Sequence, residues 1–201
     1  MNFLTHIAIS KIVYSNIKTK VDLNKYAFIF GNVKPDLSSN IKKNPHILDN
    51  HLSNVCGCSS ELMEGKESLR DFSIELGQIC HYVCDFFCQY HLDLLIFNNL
   101  RDHFFYELKL QYVLNKMTRN GRSHTILMKN KAARKDIESI IFEMRNSYMS
   151  EVSSVSKDIS YAISTAIWVC ESISYYLVKS TETIQDIELD FYDIIPLTRN
   201  R

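Results

Sequence analysis

Asp71-Phe72-Ser73-Ile74-Glu75-Leu76-Gly77-Gln78-Ile79-Cys80-His81-Tyr82-Val83-Cys84-Asp85 contains no proline and a single glycine, and it grows more apolar along its length. That pattern predicts a central, mostly buried helix. Helix-like patterns continue on both sides, over roughly 2–16, 22–31, 47–64, 67–91, 99–117, 131–149 and 156–180. Breaks fall at Gly31–Asn44 (Pro35 inside it, Pro45 just after), at Gly65, and around Asn120-Gly121. With only 5 Gly and 3 Pro for turns, long helices are expected. No alternating stretch is long enough to read as a strand. The N-terminal pattern places Phe3, Ile7, Ile12, Val13 and Ile17 on or near one helical face, and the mixed tail from Ile184 to Arg201 is expected to wrap the surface. The fold class is therefore all-α, a single domain over residues 1–201.

Composition narrows the function classes. The chain has 201 residues with 23 basic and 23 acidic side chains, a net charge of zero. A general nucleic-acid binder draws its affinity from phosphate neutralisation, so stable nucleic-acid binding is not expected. A hydrophobic content of 46% suits a packed core and is too high for a disordered chain. No apolar run approaches the roughly 18 residues of a membrane span. The first ten residues are apolar, but His6 interrupts them, and there is neither a positive start nor a small-residue cleavage site. Six cysteines without such a signal lead us to expect reduced thiols and a cytoplasmic location.

The chemistry concentrates between His46 and His103, a stretch holding five of the 7 histidines. His81 and Asp85 are i,i+4 on the central helix, one above the other on one face. His103 and Glu107 repeat the pairing on the next helix. His91 lies between them, near the expected end of the central helix. Two such pairs on successive helices can converge across a helix interface, as metal sites in bundle cores do. Asp36, in the proline-containing loop, and His46, just before a helix, can each add a ligand. Imidazoles with carboxylates suit Zn²⁺ or a similar cation, so the bundle is expected to hold a metal cluster in its core. His51 competes with His46 for the upstream position. Pro45 and the placement before a helix favour His46.

These residues resemble a family. Thr5-His6, Phe30-Gly31-Asn32-Val33-Lys34-Pro35-Asp36, Pro45-His46, and Leu76 through Asp85 followed by His91 look like the zinc-dependent phospholipases C, whose fold is shared with the trinuclear-zinc nucleases. The resemblance covers roughly residues 1–110 well and the C-terminal helices in outline. It implies that Asp36, His46, His81 and Asp85 ligate one zinc, with Asp85 bridging to a second metal. By the same resemblance His91, His103 and Glu107 ligate another, the last pair lying about two residues closer than is usual there. His6 and a bridging carboxylate belong to the remaining site. In secreted members a processed N-terminal Trp completes that site with its amino group and carbonyl, whereas this sequence reads Met1-Asn2-Phe3. Two firmly held zincs are thus expected, and a third held weakly or not at all.

The expected reaction is hydrolysis of a phospholipid or a small phosphodiester by a metal-activated water. Asp36, a ligand with a spare oxygen, is the first candidate to orient or deprotonate that water, and Asp85 the second. Leu37 follows Asp36 where secreted lipases carry an aromatic, which argues against a choline cage. The alternatives are a non-catalytic helical module that keeps structural zinc for lipid or partner binding, and a zinc-dependent nuclease. Cys80, Cys84 and Cys88 form an i, i+4, i+8 stripe rotated away from the ligand face, expected to be buried packing thiols. Cys56 and Cys58 read as free thiols, His124 and Lys129–Lys135 as solvated, and Trp168 as core.

Overall fold

A computed structural model describes residues 1–37, 44–119, 127–128 and 136–194, with side chains through 182. Among the described residues there are eight α-helices and no strand. They are α1 (Phe3–Asn16), α2 (Lys25–Val33), α3 (Leu48–Met63), α4 (Leu69–Asp85), α5 (Leu94–Phe97), α6 (Leu100–Arg119), α7 (Ile137–Ser150) and α8 (Val155–Ile194), with 3₁₀ turns at Lys34–Leu37 and Gln89–His91. The fold is an all-α bundle. No helix among the described residues is long and apolar enough to cross a membrane.

Local chemistry sets several helix starts. The side chains of Asn2, Asn24, Ser68 and Asp136 accept hydrogen bonds from the backbone N–H groups of Thr5, Ala27, Asp71 and Ser139. Each satisfies an orphan donor and contributes about 1 kcal/mol. Helix α3 ends at Gly65, whose φ of 71° lies in the left-handed region glycine tolerates.

Helix α4 lies at the centre, burying Phe72, Leu76, Ile79, Cys80, Val83 and Cys84. Helix α8 packs along it through a run that includes Ile159, Ala162, Ile163, Ala166, Val169 and Ile173, all fully buried. Helix α2 crosses α4 on backbone rather than on side chains. A Cβ on Gly31 would overlap the carbonyl of Ile74, and one on Gly77 would overlap the carbonyl of Phe28 and lie 2.9 Å from Asn32 N. Two facing glycines therefore bring the helices closer than any side chain permits, and this brings Asn32 and the following turn to His81.

Four expectations need correction. Gly31 is not a break: it lies inside α2, where it serves the close crossing. The central helix stops at Asp85 rather than continuing to 91; the chain leaves it through Phe86, Phe87 and Cys88, all fully buried, and forms a 3₁₀ turn at Gln89–His91. On α1 the buried face is Thr5, His6, Ile9, Ser10 and Val13, while Phe3 is exposed. With His6 turned inward, the apolar residues beside the N-terminus face out. The last helix runs to Ile194 instead of ending near 180. The expected break at Asn120-Gly121, His124 and Lys129–Lys135 lie outside the described residues. Cys80, Cys84, Cys88 and Trp168 are buried. Cys56 and Cys58 are free thiols on α3, partly buried.

Candidate metal centre

The bundle brings His6, Asp36, His46, His81, Asp85, His91, His103 and Glu107 to one buried cluster. Three triads within it could each hold a metal ion: Asp36, His46 and His81; His6, His81 and Asp85; and His91, His103 and Glu107. The first two share His81. His51 stands outside the triads, its ring stacked on Tyr82 at 4.4 Å and edge-on to His46 at 5.4 Å.

Three histidines are oriented the same way. Nδ1 of His81 lies 2.8 Å from Asn32 O, Nδ1 of His91 3.1 Å from His46 O, and Nδ1 of His103 3.2 Å from Phe97 O. A carbonyl can only accept, so Nδ1 carries the proton and Nε2 turns its lone pair into the cluster, the way metal-ligating histidines are held. His91 Nε2 and His103 Nε2 then face each other at 3.1 Å with no proton between them. His81 Nε2 lies 2.9 Å from His46 Nδ1 and 3.3 Å from Asp85 Oδ2. A four-coordinate zinc with bonds of roughly 2.1 Å holds its ligand atoms about 3.4 Å apart. The spacing within the triads, including 3.7 Å from His81 Nε2 to Asp36 Oδ1 and 3.2 Å from His103 Nε2 to Glu107 Oε1, fits that frame.

Unmet lone pairs point the same way. Both ring nitrogens of His6 and the Oδ2 atom of Asp36 are buried without a hydrogen-bond partner. Buried polar atoms are seldom left so unless something absent from the chain binds them. The charges agree: burial lowers the pKa of His6 and His91 and takes that of His81 down to about 4, keeping all three neutral. Burial alone would raise Asp85, but the positive charge of the Met1 amine at its Oδ1 works against burial, and Asp85 is held well below the usual carboxylate range. Glu107 is likewise held down against its burial by the Met1 amine, His103 and His91. Ionised carboxylates among neutral imidazoles make a donor set fit for divalent zinc.

The sequence reading missed one group in the cluster. The Met1 α-amino nitrogen is buried, paired with Asp85 Oδ1, 3.0 Å from His91 Nε2 and 3.4 Å from Glu107 Oε1. Burial opposes its charge, but Asp85 and Glu107 prevail and raise its pKa to about 12. Protonated, it is the counter-charge of two carboxylates; unprotonated, it is a nitrogen donor beside Asp85, His91 and Glu107. A glycine added before Met1 would turn this amine into an uncharged amide. We expect the extended protein to lose about 3 kcal/mol of stability without metal and to retain less zinc, read by thermal denaturation and elemental analysis. Equal stability and zinc content in both forms would contradict this placement.

A buried carboxylate outside the triads holds the cluster's far wall. Asp158 on α8 accepts from Tyr106 Oη at 2.7 Å, Tyr148 Oη at 2.8 Å and Gln89 N at 2.8 Å. It thereby ties α6, α7 and α8 to the turn that carries His91. Burial raises its pKa. Asp158→Ala strands three donors, and a loss of roughly 3 kcal/mol is expected, accompanied by weaker zinc retention at the His91 triad. An unchanged melting temperature would refute it. No sequence signal marks this group, because its partners lie far apart along the chain.

Only Asp36 and Glu107 open the cluster to solvent, each about 17% exposed while the other ligand candidates are 10% exposed or less. Those two carboxylates are thus the ligand candidates within reach of solvent. The profile of the family described as zinc dependent phospholipase C matches residues 5–156, a span that includes every residue of the three triads. Comparison with curated proteins and with solved structures returned no match.

Proposed function

The chain belongs to the zinc-dependent phospholipase C family, and on that premise we propose that it hydrolyses the phosphoester of a phospholipid or a related phosphodiester. The observation that carries the reading is the set of converging triads with unprotonated nitrogens and unpartnered oxygens turned inward. His81 with Asp36 and His46, His91 with His103 and Glu107, and His6 with Asp85 would hold the zinc ions. Zinc bound there supplies an acidified water and positive charge for the phosphate oxygens.

The protein's own residues divide the remaining work. Asp36 is partly exposed, its Oδ2 has no hydrogen-bond partner, and burial raises its pKa. It is suited to accept a proton from the attacking water at Oδ2. Asp85 is poorly placed to do so, because both of its oxygens are occupied. Oδ1 is engaged by Met1 N and lies 3.3 Å from His6, and Oδ2 lies 3.1 Å from His46 and 3.3 Å from His81. Its role is to fix the charge at the centre. Asn32, through its carbonyl, orients His81. The partial exposure of Asp36 and Glu107 favours a catalytic centre over a structural zinc site, which protein ligands close on all sides.

The test is release of phosphorylated head group from phospholipid, and of nitrophenol from bis(p-nitrophenyl) phosphate, by zinc-loaded protein. Release that is lost on chelation and restored by zinc supports the reading. Fully loaded protein that cleaves neither substrate overturns it.

A further inference from the structure

His46 is held differently from the histidines around it. His81, His91 and His103 each turn Nε2 inward while Nδ1 donates to a backbone carbonyl. In His46 the ring is reversed. Its Nδ1 faces the cluster, 2.9 Å from His81 Nε2, 3.1 Å from Asp85 Oδ2 and 3.9 Å from Asp36 Oδ1. Among the described residues no hydrogen bond reaches its Nε2. An imidazole ligand is normally aimed by a hydrogen bond from its other nitrogen, and one without that partner needs another brace.

Neighbouring rings supply it. Tyr82 follows His81 on α4, and its ring lies 5.1 Å from that of His46 at 74° and 5.4 Å from that of His81 at 85°. Edge-to-face contact at such distances is an arrangement that aromatic quadrupoles favour. One ring thus meets both histidines of the triad they form with Asp36, and sets the angle between them. His51 stacks on Tyr82, and among the ligand candidates its ring meets His46 alone.

The backbone of residue 46 serves the other side of the cluster. His46 O accepts from Nδ1 of His91, which forms a separate triad with His103 and Glu107. The chain just before it is pinned from the first turn of α3. Asn50, an exposed residue, donates from Nδ2 to Pro45 O at 3.0 Å, and Ile47 N donates to the same oxygen at 2.8 Å. We propose that Tyr82 and Asn50 are positioning residues for His46, one for its ring and the other for its backbone, and that residue 46 thereby couples the two triads. A metal on His46 Nδ1 fixes the residue whose carbonyl aims His91, so zinc at one triad strengthens zinc at the other, and the reverse holds by linkage. This rests on the zinc-centre reading, to which it adds a coupling between the metal positions.

The experiment measures stepwise zinc affinity by competition with a chromophoric chelator, for wild type, Tyr82→Phe, Tyr82→Leu and Asn50→Ala. Helix content by circular dichroism and the d–d absorption of the cobalt(II) forms are recorded on the same proteins. Tyr82→Phe keeps the ring and should match the wild type throughout. Tyr82→Leu should weaken zinc at both triads by about tenfold or more, with an altered cobalt(II) spectrum and unchanged helix content. Asn50→Ala removes an exposed amide and should weaken both triads in the same sense; it carries the test should Tyr82→Leu fail to fold. Wild-type zinc affinity in Tyr82→Leu or in Asn50→Ala would overturn the proposal. So would equal weakening by Tyr82→Phe and Tyr82→Leu, which assigns the effect to the hydroxyl, or weakening of one zinc while the other is held as before, which breaks the coupling. A wild-type protein that takes up no zinc would overturn the zinc-centre reading and this proposal together. The expected affinities without hydrolysis of bis(p-nitrophenyl) phosphate would contradict the hydrolase reading alone and support the positioning roles.

Discussion

Asp85→Asn is expected to abolish hydrolysis and strip zinc from the centre while the helices remain. Asparagine keeps the shape of the side chain and removes its charge. Asp85 is fully buried, and its two oxygens lie against Met1 N, His6, His46, His81 and His91. A neutral amide offers one oxygen where two charged ones now face nitrogens, so the His6, His81 and Asp85 triad loses its carboxylate and the bridge the family resemblance implies would be lost with it. A fall of at least about a thousandfold in rate follows from losing several kcal/mol of metal-borne stabilisation. Glu107→Gln touches only the His91 and His103 triad, so it should cost less zinc than Asp85→Asn. His51→Ala should leave the zinc content intact, since His51 stacks on Tyr82 outside every triad. Elemental analysis of the three purified variants separates these cases. Full zinc content in Asp85→Asn would refute the bridging position given to Asp85.

Gly77→Ala is expected to destabilise the fold by driving a methyl into the backbone of α2. Its Cβ would overlap Phe28 O and approach Asn32 N, both backbone atoms that cannot rotate aside. Helices α2 and α4 must then separate. The cost expected is about 3 kcal/mol or more, the upper end for overpacking. Separation also pulls Asn32 O from the Nδ1 proton of His81, a 2.8 Å hydrogen bond that aims Nε2 into the cluster. A variant that still folds should therefore hold less zinc. Gly31→Ala meets the Ile74 carbonyl and should behave alike. Gly57→Ala, with nothing within 4 Å of its Cβ in mid-helix, should instead stabilise by about 0.5–1 kcal/mol. Chemical denaturation of the three variants checks the order, and comparable stability of Gly77→Ala and Gly57→Ala would contradict the backbone crossing.

Much of this architecture is legible in the sequence because helices advertise themselves by period. The i,i+4 pairs His81 with Asp85 and His103 with Glu107 mark the ligand faces, and the motifs around Asp36, His46 and His91 extend them. What period cannot convey is contact between distant parts of the chain. Gly31 reads as a break, and Gly77 as one position of a helical motif, until the crossing shows a carbonyl of the facing helix in the place each Cβ would take. Asp158 reads as an ordinary acid in a first helical turn until Tyr106, Tyr148 and Gln89 N converge on it. The Met1 amine has no side-chain pattern at all, and only the packing of α1 against α6 brings it to the cluster. On α1 the apolar pattern misleads, because the cluster claims His6 for the interior and leaves Phe3 and Leu4 outside.

Whether these triads are a zinc centre that performs hydrolysis is tested most directly by zinc per chain. Elemental analysis of wild type and Asp85→Asn gives that figure, set beside hydrolysis of bis(p-nitrophenyl) phosphate by the same samples. The expected result is at least two zincs in the wild type, with zinc and hydrolysis lost together in the variant. A folded wild-type protein that takes up no zinc when it is supplied would contradict it.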